Sequence, residues 1–129
     1  MKKKVCISIP CYNEEDNVIP LCEELIKLFG SKLTQYEYLI QFIDNCSQDR
    51  TQIRLQELCS KYSFVRAIFN AKNFRGNSAL YGLMKSEGDC TIYLSADFQD
   101  PIEKIPELLQ KWEEGYLIVA GVKKTSKES

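Results

Sequence analysis

The chain has 129 residues, of which 44% are hydrophobic and 27% charged, with a net charge of -1. That is enough for one domain with a real core, and it excludes a disordered chain. The near-neutral balance gives no electrostatic case for a nucleic-acid partner, and no stretch approaches the ~20 apolar residues of a membrane span.

Lys2, Lys3 and Lys4 open the chain without the long apolar run of a signal peptide, so a cytoplasmic protein is expected, or one attached to a membrane from its cytoplasmic side. Lys4 to Ile9 reads as a first strand closed by Pro10, and Cys11 to Asp16 as a polar turn. Val18, Leu21, Cys22, Leu25, Ile26 and Phe29 recur at helical spacing up to Gly30, a residue suited to the position just past a helix end. Glu14, Glu15 and Asp16 suit the start of that helix by complementing its dipole. Tyr12 follows the strand directly. An aromatic with a polar tip there fits stacking on a flat base and fits a half-buried surface tyrosine equally well.

Tyr36 to Ile43 is a second strand, ending in the polar run Asp44 to Asp49. Ile53, Leu58, Cys59 and Tyr62 then mark a second amphipathic helix, for which Asp49 and Gln52 have the spacing of a capping box. Asp44 stands at the strand's carboxyl end with no cap to make. Phe64 to Phe69 is a third strand, followed by a loop with Lys72 and Arg75, cations that could face a diphosphate, and a short helix through Leu80, Leu83 and Met84 to Gly88.

Cys90 to Leu94 is a fourth strand, after which Asp97 and Asp100 appear in a turn. Asp100, Pro101 and Glu103 have the spacing of N-cap, N1 and N3 of a helix whose apolar stripe is Ile105, Leu108, Leu109 and Trp112, ended by Gly115. Asp97 has no such structural duty, and a carboxylate at a sheet's carboxyl edge suits a hard divalent cation. Tyr116 to Ala120 is a fifth strand. The polar, lysine-rich residues 121 to 129 leave one side of the sheet to be covered by further chain or by a partner, a second copy included.

Six cysteines fall mainly in apolar runs with no C-x-x-C pair, and there is no histidine, so reduced, mostly buried thiols are expected. Strands alternating with helices at this pace imply an α/β fold: an open, mostly parallel, doubly wound sheet of about five strands with helices on both faces. The turns after strands one, two and four then gather along one edge, where Tyr12, Asn13, Glu14, Asp44 and Asp97 can meet around one ligand.

Residues 9–15 (Ile-Pro-Cys-Tyr-Asn-Glu-Glu), 42–51 (Phe-Ile-Asp-Asn-Cys-Ser-Gln-Asp-Arg-Thr) and 95–101 (Ser-Ala-Asp-Phe-Gln-Asp-Pro) resemble, in order and spacing, the nucleotide-sugar half of family 2 glycosyltransferases with the GT-A fold. The nearest likeness is to the polyprenyl- or dolichyl-phosphate sugar synthase branch. Residues 111–116 and 121–124 also look like that branch.

The resemblance implies a truncated GT-A domain over residues 1–122 with a polar tail over 123–129. It implies that Pro10, Tyr12, Asn13, Glu14, Asp44, Ser95 and Ala96 line the site of a UDP- or GDP-sugar, and that Asp97 and Gln99 hold Mg²⁺ or Mn²⁺ on the diphosphate. Transfer would proceed with inversion to a lipid phosphate, and the catalytic residues would belong to an acceptor half absent from this sequence. In two places the chain departs from the family pattern: Ser95 stands for the first Asp of Asp-x-Asp, and Asn45-Cys46 for the Asp-Gly of Asp-Asp-Gly-Ser. A serine there lacks the carboxylate charge, so weaker metal affinity is expected, and a binding module without transfer is the alternative.

A phosphorylated receiver domain would need its acceptor Asp after the third strand, where Asn70 to Asn73 stand, and a helix after the fifth. A dinucleotide-binding Rossmann domain would need G-x-G-x-x-G after strand one, which is missing.

Overall fold

A computed structural model describes residues 2–71, 88–96 and 102–115. Their elements run β1 (Lys4–Cys11), α1 (Val18–Ser31), β2 (Glu37–Asp44), α2 (Thr51–Lys61), β3 (Val65–Phe69), β4 (Cys90–Tyr93), a 3-10 turn (Ile102–Lys104) and α3 (Ile105–Glu113). The four strands form one sheet in the order β3-β2-β1-β4, with every pair parallel. The expected fifth strand, the helix before Gly88, Lys72 and Arg75 all lie outside the described residues.

Parallel pairing buries β1 and β2 on both faces. On one face Val5, Ile7, Ile9, Ile40, Phe42, Val65 and Ile92 meet Val18, Leu21, Cys22, Leu25 and Phe29 of α1, Leu55 and Leu58 of α2, and Ile105 and Leu109 of α3 in a single core. The opposite face presents the buried Cys6, Ser8, Leu39, Gln41 and Ile43. There Ser8, Gln41 and Arg66 lie level across three strands. Gln41 takes both Nε and Nη2 of Arg66 on its side-chain oxygen.

The apolar stripe of α1 buries as its spacing predicts except at Ile26, which is half-buried at its margin, and the helix does not stop at Gly30. It runs on to Ser31, whose hydroxyl donates to the carbonyl of Lys27 at 2.8 Å, and Lys32 N–H closes the end on Leu28 O. In α2 the inward face is Thr51, Leu55 and Leu58, while Ile53 is 44% exposed. With Thr51 fixed at the start, positions i+4 and i+7 face inward and Ile53, two residues on, faces away.

The last helix also starts later than its sequence suggests. Glu103 falls in the 3-10 turn rather than at N3, and the α-helix opens at Ile105 with Pro106 in its first turn, where the missing N–H costs nothing. Gly115, at φ +107, ends it in a left-handed conformation that a side chain would oppose. All six cysteines are free thiols, and Cys6, Cys11 and Cys22 are buried. Burial raises the Cys22 thiol to about 12, so it packs as a neutral group.

Candidate functional site

Pro10 does not close β1. The strand continues through it to Cys11, which pairs with Asp44. Cys11 O accepts Asn45 N–H and Ser8 O accepts Leu94 N–H, so odd-numbered residues of β1 bond to β2 and even-numbered ones to β4. The amide that Pro10 lacks would have pointed at β4. Pairing with β4 accordingly ends at Ser8 and Tyr93, and the chain leaves the ladder at Leu94, Ser95 and Ala96. Pro10 thus keeps the pairing to β2 while freeing the end of β4.

The carboxyl ends of β1, β2 and β4 lie on one edge of the sheet, and the first two loops there are laced together. Asn13 N–H donates to Ser47 Oγ at 2.9 Å, Glu14 N–H to Thr51 Oγ1 at 2.8 Å and Glu15 N–H to Asp49 Oδ2 at 3.3 Å. In return Gln48 N–H donates to Asn13 Oδ1 at 2.8 Å and Arg50 N–H to Glu15 Oε1 at 2.9 Å. Asn13 takes a left-handed backbone at φ 53, a conformation asparagine tolerates better than most residues. Tyr12, beside it, is 44% exposed.

Asp44 is fully buried. Its Oδ1 accepts the Ser47 hydroxyl, and its Oδ2 accepts Ser47 N–H at 3.1 Å and Gln52 Nε2 at 2.8 Å. The Asp49–Gln52 capping box does not form, because Gln52 turns to Asp44 instead of back to Asp49. Asp49 still secures the start of α2 by accepting Thr51 N–H at 2.9 Å together with the Thr51 hydroxyl. Burial pushes the Asp49 carboxyl up, but these hydrogen bonds from Thr51 and one from Glu15 outweigh it and hold the group below its usual value.

Glu14 and its neighbours do not sit in the first turn of α1, which contains no acid. They form the preceding turn, where Glu14 O accepts Asn17 and Val18 N–H and Glu14 Oε1 accepts Asn17 Nδ2 at 2.8 Å. Cys11, read from sequence as a turn residue, is the buried end of β1. Burial raises its thiol strongly, and Asp44, Glu14 and Asp49 add to the rise, so the loops around it form an anionic setting.

Pro10, Tyr12, Asn13, Glu14 and Asp44 are therefore brought together, with half-buried Ser95 and buried Ala96 leaving β4 at the same edge. Asp97, Gln99, Asp100 and Pro101 lie outside the described residues. No cluster of three or more metal-ligating side chains occurs among the described residues. Ser47, Thr51 and Gln52 were missed as site-forming residues. The signal was present, since Asp-x-x-Ser at 44–47 and Asp-x-Thr at 49–51 are spacings at which a carboxylate bonds a nearby N–H and hydroxyl.

The undecaprenyl-phosphate 4-deoxy-4-formamido-L-arabinose transferase of Proteus mirabilis is 35% identical over 128 residues, covering 98% of this chain and 39% of that protein. The prophage bactoprenol glucosyl transferase homolog of Escherichia coli is 35% identical over 113 residues, covering 87% of this chain and 36% of its own. This chain thus spans about two fifths of the length of such relatives.

Among solved structures, the mannosyltransferase PcManGT of Pyrobaculum calidifontis in complex with GDP-Man and Mn2+ superposes with a TM-score of 0.70 at 16% identity, over 96% of this chain and 36% of that one. S. aureus TarS in complex with UDP gives 0.65 at 18% identity, over 97% and 40%. At such identities the likeness is one of fold, and the parallel sheet with its helices is that of the GT-A glycosyltransferases. Residues 6–129 match the profile described as glycosyl transferase family 2, and with its strand-end loops meeting at one edge of a GT-A sheet the chain belongs to that family.

Proposed function

We propose that residues 1–122 form the nucleotide-sugar-binding part of a glycosyltransferase that passes a sugar from a UDP- or GDP-sugar to a polyprenyl-type lipid phosphate at the cytoplasmic face of a membrane. The observation that carries this reading is the lacing of the first two loops, which fixes Tyr12, Asn13, Glu14 and Asp44 beside the exit of β4. Family membership and the lipid-phosphate chemistry in the names of the relatives support it. Among the described residues no helix is long and apolar enough to cross a membrane.

In this reading Pro10, Tyr12, Asn13, Glu14, Asp44, Ser95 and Ala96 shape the donor site. Tyr12 offers an exposed ring to the base. A diphosphate approaching this edge meets Glu14, Glu15, Asp16 and Asp49 in the loops 12–17 and 45–50, where Arg50 is the one cation, so it needs added positive charge. Asp97 and Gln99 follow Ala96 by one and three residues, and their hard oxygen donors suit Mg²⁺ or Mn²⁺. Such an ion neutralises charge growing on a departing nucleoside diphosphate. Ser95 contributes a hydroxyl rather than a second carboxylate, which lowers metal affinity without removing the site.

Calorimetry with UDP-glucose, UDP-N-acetylglucosamine and GDP-mannose, each with and without Mn²⁺, tests the reading. Saturable heat with one donor, strengthened by Mn²⁺, is expected. A folded sample silent with all three refutes it. Ser95 also favours a second reading, a module that binds the donor without transferring it. In that case Ser95→Asp tightens Mn²⁺ binding and creates no transfer to a lipid phosphate, whereas transfer by the unaltered chain eliminates the module.

A further inference from the structure

Two hydroxyls in the second loop are used in the same way. Ser47 Oγ donates to Asp44 Oδ1 and accepts Asn13 N–H at 2.9 Å. Thr51 Oγ1 donates to Asp49 Oδ1 and accepts Glu14 N–H at 2.8 Å. In each, a carboxylate accepts the hydroxyl's hydrogen bond and so leaves an oxygen lone pair facing a backbone N–H of the first loop. The pairs differ in burial: Asp44 is fully buried and Ser47 8% exposed, so Asp44 has no open face for a ligand while its acceptor sites are held by Ser47 and Gln52.

Resting on the donor-binding reading above, we infer that Asp44 and Ser47 are positioning residues, and that the chain Asp44 to Ser47 to Asn13 holds the left-handed turn that presents Tyr12 to a nucleoside base. Asp44 then acts on the nucleotide through Ser47 and the first loop instead of touching it. The left-handed Asn13 is the point at which this matters. Its backbone is disfavoured without support, and two bonds hold it, its own N–H on Ser47 and its side chain on Gln48 N–H. Release of the N–H frees the turn to return to an ordinary backbone, which swings the preceding Tyr12 away from the edge.

Two measurements on Ser47→Ala, the mildest change that breaks the chain, test this. Hydrogen exchange at the Asn13 amide, read without any ligand, should speed up by about tenfold relative to the unaltered protein, as expected for one lost bond. UDP and GDP affinity in Mn²⁺ should fall by about tenfold as well.

A double-mutant cycle separates positioning from general weakening. In a Tyr12→Ala background, Ser47→Ala should cost little further affinity, because its effect passes through the ring already removed. Unchanged Asn13 exchange in Ser47→Ala overturns the inference. So does unchanged nucleotide affinity, or a loss that adds in full to that of Tyr12→Ala; in those cases the unaltered chain binds and the donor reading survives. If the unaltered chain binds neither nucleotide, the donor reading falls and takes the role of Ser47 with it.

Discussion

Two carboxylates, at opposite edges of the sheet, are held by hydrogen bonds of similar length in different surroundings. At the carboxyl edge Asp44 is fully buried between Ser47 and Gln52. At the amino edge Glu113, near the end of α3, takes Lys3 Nζ and the Tyr36 hydroxyl at 2.8 Å each, with its side chain 38% exposed and Lys3 lying 5.1 Å over the Trp112 ring. Distance alone would rank them as equals. Water makes the difference: it can replace any donor that Glu113 loses, and nothing replaces a donor at Asp44. The amino-edge cluster is therefore a fastening for α3, and the Asp44 network is a condition for the loop to have its shape.

The largest expected effect follows at once. Asp44→Ala strands the buried Ser47 N–H and takes the partner from the half-buried Gln52 amide, and should cost about 3 kcal/mol in urea unfolding. Gln52→Ala leaves Asp44 with its two bonds from Ser47 and should cost about 1 kcal/mol. Equal, small losses from both substitutions would mean that water reaches this carboxylate after all, and the contrast with Glu113 would collapse.

The sheet was legible from sequence because its signal is local: apolar runs of strand length, and stripes at helical spacing that returned Val18, Leu21, Cys22, Leu25 and Phe29 as the buried face of α1. The lacing was not, because its bonds join residues 34 to 37 positions apart and leave no periodic trace. Local rules also misled where a side chain had a choice of partner. Gln52 had the spacing to complete a cap on Asp49 and went to Asp44. Proline reads as a strand stop because a strand interior rejects it, yet at Pro10 that depends on which neighbour the missing N–H would face. What marks this edge in the sequence is a set of motifs; what the structure adds is which motif residues are buried, as Asp44 is, and which are exposed, as Tyr12 is.

Cys46 sharpens the comparison from within the carboxyl edge. It adopts φ 64, a left-handed backbone that costs a side-chain-bearing residue about 1–2 kcal/mol, at a position where the family pattern has glycine. Its thiol donates to Ala71 O at 3.6 Å and accepts Gln48 Nε2 at 3.9 Å, both at sulfur distances. Cys46→Gly should therefore stabilise the protein by roughly 0.5 kcal/mol, the backbone relief being partly offset by the extra freedom of glycine in the unfolded chain. A loss of stability would mean that the thiol's contacts with Ala71 and Gln48 outweigh the strained backbone.

The smallest effect is expected at the amino edge, and its pH dependence identifies it. The Lys3 hydrogen bond, then the Tyr36 hydroxyl, holds the Glu113 carboxyl below its ordinary 4.5, while burial, first, and the Glu113 bond raise Tyr36 to about 12. A carboxyl whose folded value is lowered stabilises the fold above its unfolded value, and the contribution disappears as pH falls through the folded one. Glu113→Gln should thus melt slightly below the unaltered protein at neutral pH and together with it well under pH 4.5. At 1 M salt the neutral-pH difference should also narrow, because the screening length falls to about 3 Å, close to the length of the Lys3–Glu113 contact. A deficit that persists in salt and acid would show that Glu113 holds α3 by packing and neutral hydrogen bonding, and would make the two edges more alike than their exposure suggests.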